Sequence, residues 1–403
     1  MRNFSIPALI AAFLSVLIFA GLNLIQLAGQ ETVFPLNKFR FRMDYTDFRI
    51  AGNNYLEGKS IYRAQRYVAP PASAVLLSPL GYFKYRSANA VLSCLIILSI
   101  CGTIILSTGT FFRFGNNGFG NTYRFNIYIL ILSLVIMFSL SYPFYFLFER
   151  GNVDWLVLLL FWAGIYLLSR DKDIIAGIFM GLSVCVKVYP VIIAIPLIIH
   201  KKWKTVSGMV ISFIALFLIC PSLWADYFHS LFLGKRTVYF RADENVSLAN
   251  TLFYIFKMTG LHFEPNSIIL CSGILYAIFL SILSIFMYIN RSRFSVIELI
   301  TLMIPFFMMI PSTAYAYEAV FILSMIPYYC VLYKDIISHR YTVICIAVCV
   351  VASITQAQVI VMEKLSGSQW FHFIPSLGVF ILGVTSIMII AGLTAVKKDK
   401  TTV

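Results

Sequence analysis

Two carboxylates three residues apart, Asp44 and Asp47, open the most polar stretch of the chain, DYTDFRIAGNNYLEGKSIY. On a helix, residues i and i+3 share a face, so one carboxylate could act as a general base while the other orients a substrate hydroxyl. The same acids could instead form structural ion pairs with the nearby Arg40, Arg42 and Arg49. Spacing alone leaves both interpretations open.

A lysine inside an apolar run is the second chemical signal. Lys187 lies in the middle of residues 173–199, beside Tyr189 and Pro190. An ionisable residue within a hydrophobic segment is a functional-site hypothesis by default, because its burial in lipid is costly. Lys187 is therefore a candidate ligand for a lipid phosphate. The alternative is that its side chain reaches the headgroup region by snorkelling.

Basic residues also surround a short apolar stretch, Ala72 to Phe83. A surface of this kind suits an anionic lipid headgroup or a pyrophosphate, although non-specific attraction to headgroups would use the same charges. The basic residues are Arg63, Arg66, Lys84 and Arg86.

Weaker polar signals lie elsewhere. Glu149 and Asn152 belong to the sequence ERGN at a helix junction, where Asn152 or Asp154 could simply cap a helix. Asn245 begins NVSLAN, and Glu318 lies near a helix start, where a carboxylate complements the helix dipole. The five histidines form no metal-ligand pattern, so we predict neither a metal nor a cofactor.

The elements that position these residues belong to a membrane protein. The chain has 403 residues, of which 60% are hydrophobic and 12% charged, with a mean hydropathy of +0.87. Soluble proteins are about 45–50% apolar and about 25% charged. This composition excludes soluble, disordered and disulfide-rich secreted classes. In a membrane protein, the basic residues behind the net charge of +14 indicate on which side of the bilayer each loop lies. We therefore predict no nucleic-acid partner.

Apolar runs of about 20 residues predict an all-α polytopic protein with about twelve spans and cytoplasmic termini. Residues 173–199 are expected to break at Lys187, because a continuous helix would bury the lysine at a cost of about 2.5–3.5 kcal/mol. The predicted spans are 6–28, 88–109, 125–147, 152–169, 173–185, 188–199, 205–223, 267–289, 297–310, 314–333, 341–361 and 371–395.

Two long loops on the outer face follow from this topology. We call residues 29–87 the first loop and residues 224–266 the second loop. The stretch from Ala72 to Phe83 is too short to span and is broken by Pro79, so it predicts an interfacial or re-entrant helix. With no internal repeat in view, residues 1–403 are expected to form a single integral domain.

Four stretches resemble the bacterial polyprenyl-phosphate-mannose-dependent alpha-1,2-mannosyltransferase family of the GT-C class. The resemblance implies a GT-C-like fold and a polyprenyl-phosphate sugar donor that enters from the outer leaflet. The stretches are DYTDFRIAGNNYLEGKSIY with the following Pro70-Pro71 and SPL, RGN from Arg150, AGIFMGLSVCVKVYP from Ala176, and NVSLANTL from Asn245.

The resemblance also implies residue roles. An aspartate of the first loop would deprotonate the acceptor hydroxyl; matching the loop spacing points to Asp44, and matching the Asp-Phe pair points to Asp47. Lys187, with Arg63 and Arg66, would bind the donor phosphate. The residues implied for substrate binding are Tyr62, Glu149, Asn152, Asn245, Tyr317 and Glu318.

One motif departs from the family. Where the family often carries S-W-[DE]-H-[HY], this chain has PSTAYAYE without a histidine, and Tyr317 or Glu318 takes its place. The family resemblance implies that the sugar is mannose, and this departure leaves another hexose or a pentose as alternatives.

The resulting hypothesis is an inverting hexosyltransferase of a bacterial inner membrane, with its site facing the periplasm or exterior. Its partners would be a polyprenyl-phosphate sugar, a glycolipid or glycan acceptor, and membrane lipids. The alternatives are a transporter or flippase for an anionic lipid-linked substrate, or a ligase of lipid-linked glycans. A transporter should show broken helices in corresponding positions of two halves, and this chain has a single such hairpin.

Overall fold

The computed structural model of the chain describes residues 43–63, 67, 69–118, 142–233, 247–292, 294–307, 309, 318, 320–322 and 324–325. These residues form helices and no strands, which confirms the all-α prediction for this part of the chain. The predicted spans 6–28, 341–361 and 371–395, and most of 125–147 and 314–333, lie outside the described residues.

The first loop contains two helices, α1 (Met43–Leu56) and α2 (Pro71–Leu77), and two 3-10 turns, Ile61–Arg63 and Ser78–Tyr82. The later helices are α3 (Tyr85–Gly118), α4 (Tyr142–Arg150), α5 (Asp154–Leu168), α6 (Asp173–Val186), α7 (Ala194–Ile199), α8 (Trp203–Ile219), α9 (Pro221–Leu233), α10 (Leu248–Met258), α11 (Pro265–Ile289) and α12 (Val296–Phe307), with a 3-10 turn at Tyr189–Ile193 before α7.

Among the described helices, α3 from Tyr85 to Thr110 and α11 are long and apolar enough to cross a membrane. The bent pair α8 and α9 makes a third candidate if it is counted as one span. The helix α3 continues to Gly118, beyond the predicted end of its span at residue 109. The count of about twelve spans remains a prediction.

The predicted break at Lys187 is confirmed. The helix α6 ends at Val186, Lys187 has an extended backbone (φ −146°, ψ 133°), and a 3-10 turn begins at Tyr189. The 14 residues of α6 are about 21 Å long, less than the hydrocarbon core of about 30 Å. Pro190 cannot donate a backbone hydrogen bond, which favours a new helical start over a continuous helix.

The helix predicted as the span 205–223 ends earlier in the structure than the sequence predicts. The helix α8 stops at Ile219, and α9 begins at Pro221 after a bend of 99°. A proline at this position removes a backbone donor and clashes with the preceding turn, so α8 cannot continue through it. Trp224 Nε1 donates a hydrogen bond of 3.3 Å to the Leu216 carbonyl, which fixes the corner.

The described residues fall into two compact units. Those within 1–188 and 204–236 form the first, and those within 189–203 and 237–403 form the second. In the second unit, the Tyr189 ring packs against Phe307 and Phe321 at centroid distances of 5.7 and 5.6 Å. The single-domain organisation remains a prediction.

Glycines set the packing in the first unit. A Cβ on Gly177 would overlap the Thr205 carbonyl of α8, and a Cβ on Gly181 would lie 2.7 Å from the Cα of Met209. The spacing of Gly177 and Gly181 places both on the face of α6 that meets α8, so these two backbones approach closely. The helix α6, whose end carries Lys187, is thereby held in place.

Candidate active site

The candidate site lies in the first unit, where α1 meets the turn between α4 and α5. Gly151 has a φ of 64°, in the left-handed region that glycine adopts without strain. Its N–H donates to the Leu147 carbonyl at 3.0 Å, which ends α4 in the usual manner of a glycine C-cap. Arg150 and Asn152 lie on either side of Gly151 in this turn.

Asp44 is held by two donors from this turn. The Arg150 guanidinium lies 2.6 Å from Asp44 Oδ1, and Asn152 Nδ2 donates to Asp44 Oδ2 at 2.8 Å. Arg150 and Asn152 are each 5% exposed, and the Asp44 side chain is 12% exposed. Because a carboxylate oxygen has two lone pairs, each Oδ can accept a further hydrogen bond. The carboxylate is thus fixed in direction and still able to take a proton.

These contacts bear on two of the alternatives left open by the sequence. The prediction that Asn152 or Asp154 caps a helix is wrong, because the residue before α5 is Val153 and no side chain caps that helix. The Asn152 amide is directed to Asp44 instead. The described ion-pair partner of Asp44 is Arg150, while Arg49 donates to the Phe83 carbonyl at 3.0 Å. Arg40 and Arg42 lie outside the described residues.

The second candidate base, Asp47, lies half-buried one turn further along α1. Asp44 is in the first turn of this helix, where the helix dipole favours a negative charge. The contacts that single out Asp44 are those with Arg150 and Asn152, and they come from a segment more than a hundred residues away.

Lys187 forms an ion pair within the protein. Its Nζ lies 2.7 Å from Asp154 Oδ2, and the Asp154 side chain is fully buried while that of Lys187 is 15% exposed. The snorkelling alternative is therefore wrong, because the ammonium bonds to a buried carboxylate. Asp154 is the first residue of α5, so the positive end of the helix dipole also stabilises its charge.

Tyr62 anchors the first loop. Its hydroxyl donates to the Ala69 carbonyl at 3.0 Å, and its ring packs against Tyr67 at 5.5 Å and Tyr227 of α9 at 6.0 Å. Burial, together with the two neighbouring tyrosines, raises the pKa of the Tyr62 phenol above its ordinary value. The neutral hydroxyl acts in loop packing, and its predicted role in substrate binding remains untested.

The remaining predicted residues are only partly placed. Glu149 is buried at the end of α4, next to Arg150. Glu318 is buried in the second unit. Arg66, Asn245 and Tyr317 lie outside the described residues, as does the side chain of Arg63. Among the described residues, no three His, Cys, Asp or Glu side chains come together as a metal site.

Two partners were not predicted from the sequence. The sequence placed Arg150 in the polar ERGN sequence and in the RGN motif of the family without giving it a role of its own, and it placed Asp154 only as a possible helix cap. The available signal was the density of polar residues in ERGNVD, which separates the apolar helices α4 and α5. Neither the pairing with Asp44 nor that with Lys187 has a local sequence signature, because the partners are far apart along the chain.

The described helices include ones long and apolar enough to cross a membrane, and comparison with known families identifies a membrane glycosyltransferase. The chain is a member of glycosyltransferase family 87, whose family model matches residues 67–313. The resemblance to GT-C mannosyltransferases is thereby confirmed. The matched range includes Arg150, Asn152, Asp154 and Lys187, whereas Asp44 precedes it.

Two curated relatives carry the name GPI mannosyltransferase 1. The protein from Kluyveromyces lactis is 28% identical over 158 residues, which cover 39% of this chain and 36% of the relative. The protein from Saccharomyces cerevisiae is 26% identical over 246 residues, which cover 56% of this chain and 58% of the relative. The matched part of the chain thus spans less than two thirds of the length of either relative.

Proposed function

We propose that this protein is an inverting membrane mannosyltransferase that uses a polyprenyl-phosphate mannose donor and a glycolipid or glycan acceptor. Membership of glycosyltransferase family 87 and the similarity to two mannosyltransferases support the reaction class and the sugar. The observation that carries the proposal is the Asp44 carboxylate, which Arg150 and Asn152 hold with room for one more proton.

In the proposed reaction, Asp44 accepts the proton of the acceptor hydroxyl. The hydroxyl oxygen attacks the anomeric carbon, a new glycosidic C–O bond forms, and the bond from that carbon to the phosphate oxygen breaks. Polyprenyl phosphate leaves with the electron pair. A single displacement inverts the anomeric centre, so one base suffices, in contrast to the two carboxylates of a glycosidase.

Arg150 and Asn152 have orienting roles in this scheme. By binding one oxygen each, they fix the carboxylate so that a remaining lone pair faces the acceptor hydroxyl. Asp47 is the alternative base on the same helix, and it has the role of orienting the acceptor if Asp44 takes the proton.

The leaving phosphate needs positive charge more than it needs an acid. We assign this role to Lys187, at the break between α6 and the following 3-10 turn, together with Arg63 and Arg66 of the first loop. Further substrate contacts are proposed for Tyr62, Glu149, Asn245, Tyr317 and Glu318.

The proposed setting is a bacterial inner membrane, with about twelve spans in one domain and the site facing the periplasm or exterior. The pattern of basic residues in the short loops supports this orientation. The first loop, which contains Asp44, lies on the outer side in this topology, where a lipid-linked donor of the outer leaflet can reach it.

The experiment is a transfer assay with the purified protein in liposomes. Labelled polyprenyl-phosphate mannose, the corresponding glucose and pentose donors, and a nucleotide-activated mannose are each supplied with a glycolipid acceptor. We expect release of polyprenyl phosphate and labelling of the acceptor, with mannose as the best sugar. Transfer from the nucleotide sugar alone would contradict the proposed donor. Movement of the labelled donor across the bilayer without its consumption would instead indicate a transporter.

A further inference from the structure

One short segment supplies contacts to both candidate functional groups. Arg150 and Asn152 bind the two oxygens of Asp44, and Asp154, two residues later, binds Lys187. The three residues occupy every second position of the turn between α4 and α5. The proposed base and the proposed phosphate ligand are thus both tied to five consecutive residues, 150–154.

The Asp154 carboxylate has an unusual position for a charged group. It is fully buried at the start of α5, while Lys187 follows the last residue of α6 and keeps 15% of its side chain exposed. A buried carboxylate is costly unless a cation and further hydrogen bonds compensate for its desolvation. The partly exposed partner, Lys187, is the member of the pair that a ligand can reach.

We infer that Asp154 is a positioning residue that aims the Lys187 ammonium at the phosphate of the lipid-linked donor. The inference rests on the proposed function. An ammonium carries three N–H donors, so Lys187 can hold Asp154 and a phosphate oxygen together. A lysine on a flexible stem is otherwise a poorly directed ligand, and the bond to Asp154 reduces its freedom before the donor arrives.

The consequence concerns the geometry of the reaction. Because residues 150–154 contact both Asp44 and Lys187, the base and the phosphate site are tied to one turn as well as to the elements that carry them. Attack on the anomeric carbon requires the acceptor oxygen and the leaving phosphate on opposite sides of that carbon. A fixed spacing of the two groups favours this alignment.

The test compares wild type with Asp154→Asn, Lys187→Met and the double variant Asp154→Asn/Lys187→Met. Two quantities are measured for each: the thermal stability of the purified protein and its Kd for polyprenyl phosphate, with the uncharged polyprenol as reference ligand. Asp173→Asn is the matched control, because Asp173 is likewise the first residue of a helix, α6.

Each single variant leaves one charge of the pair without its partner, so we expect lower stability in both. The double variant removes both charges and should recover stability close to that of wild type. Its Kd for polyprenyl phosphate should nevertheless stay at least tenfold higher than that of wild type, as in Lys187→Met. Asp154→Asn, which keeps the lysine but not its direction, should also weaken binding, and Asp173→Asn should bind as wild type does.

A double variant that binds polyprenyl phosphate as tightly as wild type would overturn the inference and leave the pair a purely structural one. Wild type that binds polyprenyl phosphate no better than polyprenol would overturn it as well. Failure of the proposed function is recognised in a different assay, in which wild type would transfer no sugar from the donor. The binding measurements need no turnover, so their result does not depend on that assay.

Discussion

Asp44 and Asp47 are chemically identical and three residues apart on α1, so their sequence context could not separate them. In the structure Arg150 and Asn152 contact Asp44, and these contacts join residues 106 and 108 positions apart. Pairings over such distances have no periodic signature in a single sequence. The same holds for Lys187, whose type and location predicted a functional site but not its partner Asp154.

At the residue level, we predict that Asn152→Leu lowers kcat about tenfold or more. The substitution keeps the branched shape of the side chain and removes one of the two donors that fix Asp44. Hydrogen bonds to charged groups contribute about 1.5–3 kcal/mol, and about 1.4 kcal/mol corresponds to a factor of ten in rate. Steady-state kinetics with saturating donor and acceptor measure the effect.

The matched control for Asn152→Leu is Ser60→Ala. It removes a side-chain hydrogen bond of the same length, 2.8 Å, from Ser60 to Asp226 at the exposed edge of the first loop. We expect this control to keep the kcat of wild type. Equal losses in the two variants would mean that the loop, rather than the orientation of Asp44, limits activity.

At the level of elements, the break at Lys187 followed from one physical argument, the cost of burying a lysine in a continuous span. The bend at Pro221 was missed, since the apolar run continues past it and hydropathy does not report direction. The start of α5 also differs from the expectation, because the residue that precedes the helix is Val153, whose apolar side chain has no hydrogen-bond acceptor.

The close contact of α6 with α8 predicts that alanine substitutions at two glycines affect the melting temperature differently. Gly181→Ala should lower the melting temperature, because its new Cβ would lie 2.7 Å from the Met209 backbone and 2.9 Å from Ser212 Cβ. Overpacking of this kind costs about 1–3 kcal/mol. Thermal unfolding of the purified protein in detergent measures it.

Gly273→Ala provides the comparison within α11. Among the described residues, no atom outside the neighbouring backbone of α11 lies within 4 Å of its added Cβ. Alanine is a better helix former than glycine by about 1 kcal/mol, so this variant should unfold at the same temperature as wild type or at a higher one. A melting temperature for Gly181→Ala at or above that of Gly273→Ala would contradict the packing of α6 on α8.

At the level of the whole molecule, composition and apolar runs were sufficient to predict an all-helical membrane protein, and four loose motifs in order were sufficient to predict its family. The motifs predict the sugar less specifically than they predict the family. Hexoses differ in the orientation of single hydroxyl groups, and these are read by side chains whose arrangement depends on the fold rather than on local motifs.

The proposed topology predicts the side from which Val188 can be labelled. Val188 is 43% exposed and follows Lys187 at the break, which is expected on the outer side. In a background without the eight native cysteines, Val188→Cys should react with a membrane-impermeant maleimide added outside, as should Ser60→Cys of the first loop. Lys204→Cys should react only when the reagent has access to the cytoplasmic side.

Reaction of Val188→Cys from the cytoplasmic side alone would overturn the orientation of the hairpin formed by α6 and the segment after it. It would also remove Lys187 from a site that faces the outer leaflet. Opposite sides for Val188→Cys and Ser60→Cys would separate the hairpin from the first loop and contradict a shared active site.

The most direct test of the central claim is the turnover of Asp44→Asn with polyprenyl-phosphate mannose and a glycolipid acceptor. The matched controls are Asp47→Asn on the same helix and Glu57→Gln, an exposed carboxylate of the first loop that pairs with Lys59. General-base catalysis contributes about 10²–10⁴-fold, so Asp44→Asn should lose turnover by about this factor while it still binds polyprenyl phosphate. Glu57→Gln should keep the turnover of wild type, and Asp47→Asn, which alters only the proposed orientation of the acceptor, should lose less turnover than Asp44→Asn does. Full turnover in Asp44→Asn, or its loss in Asp47→Asn alone, would contradict the assignment of Asp44 as the base.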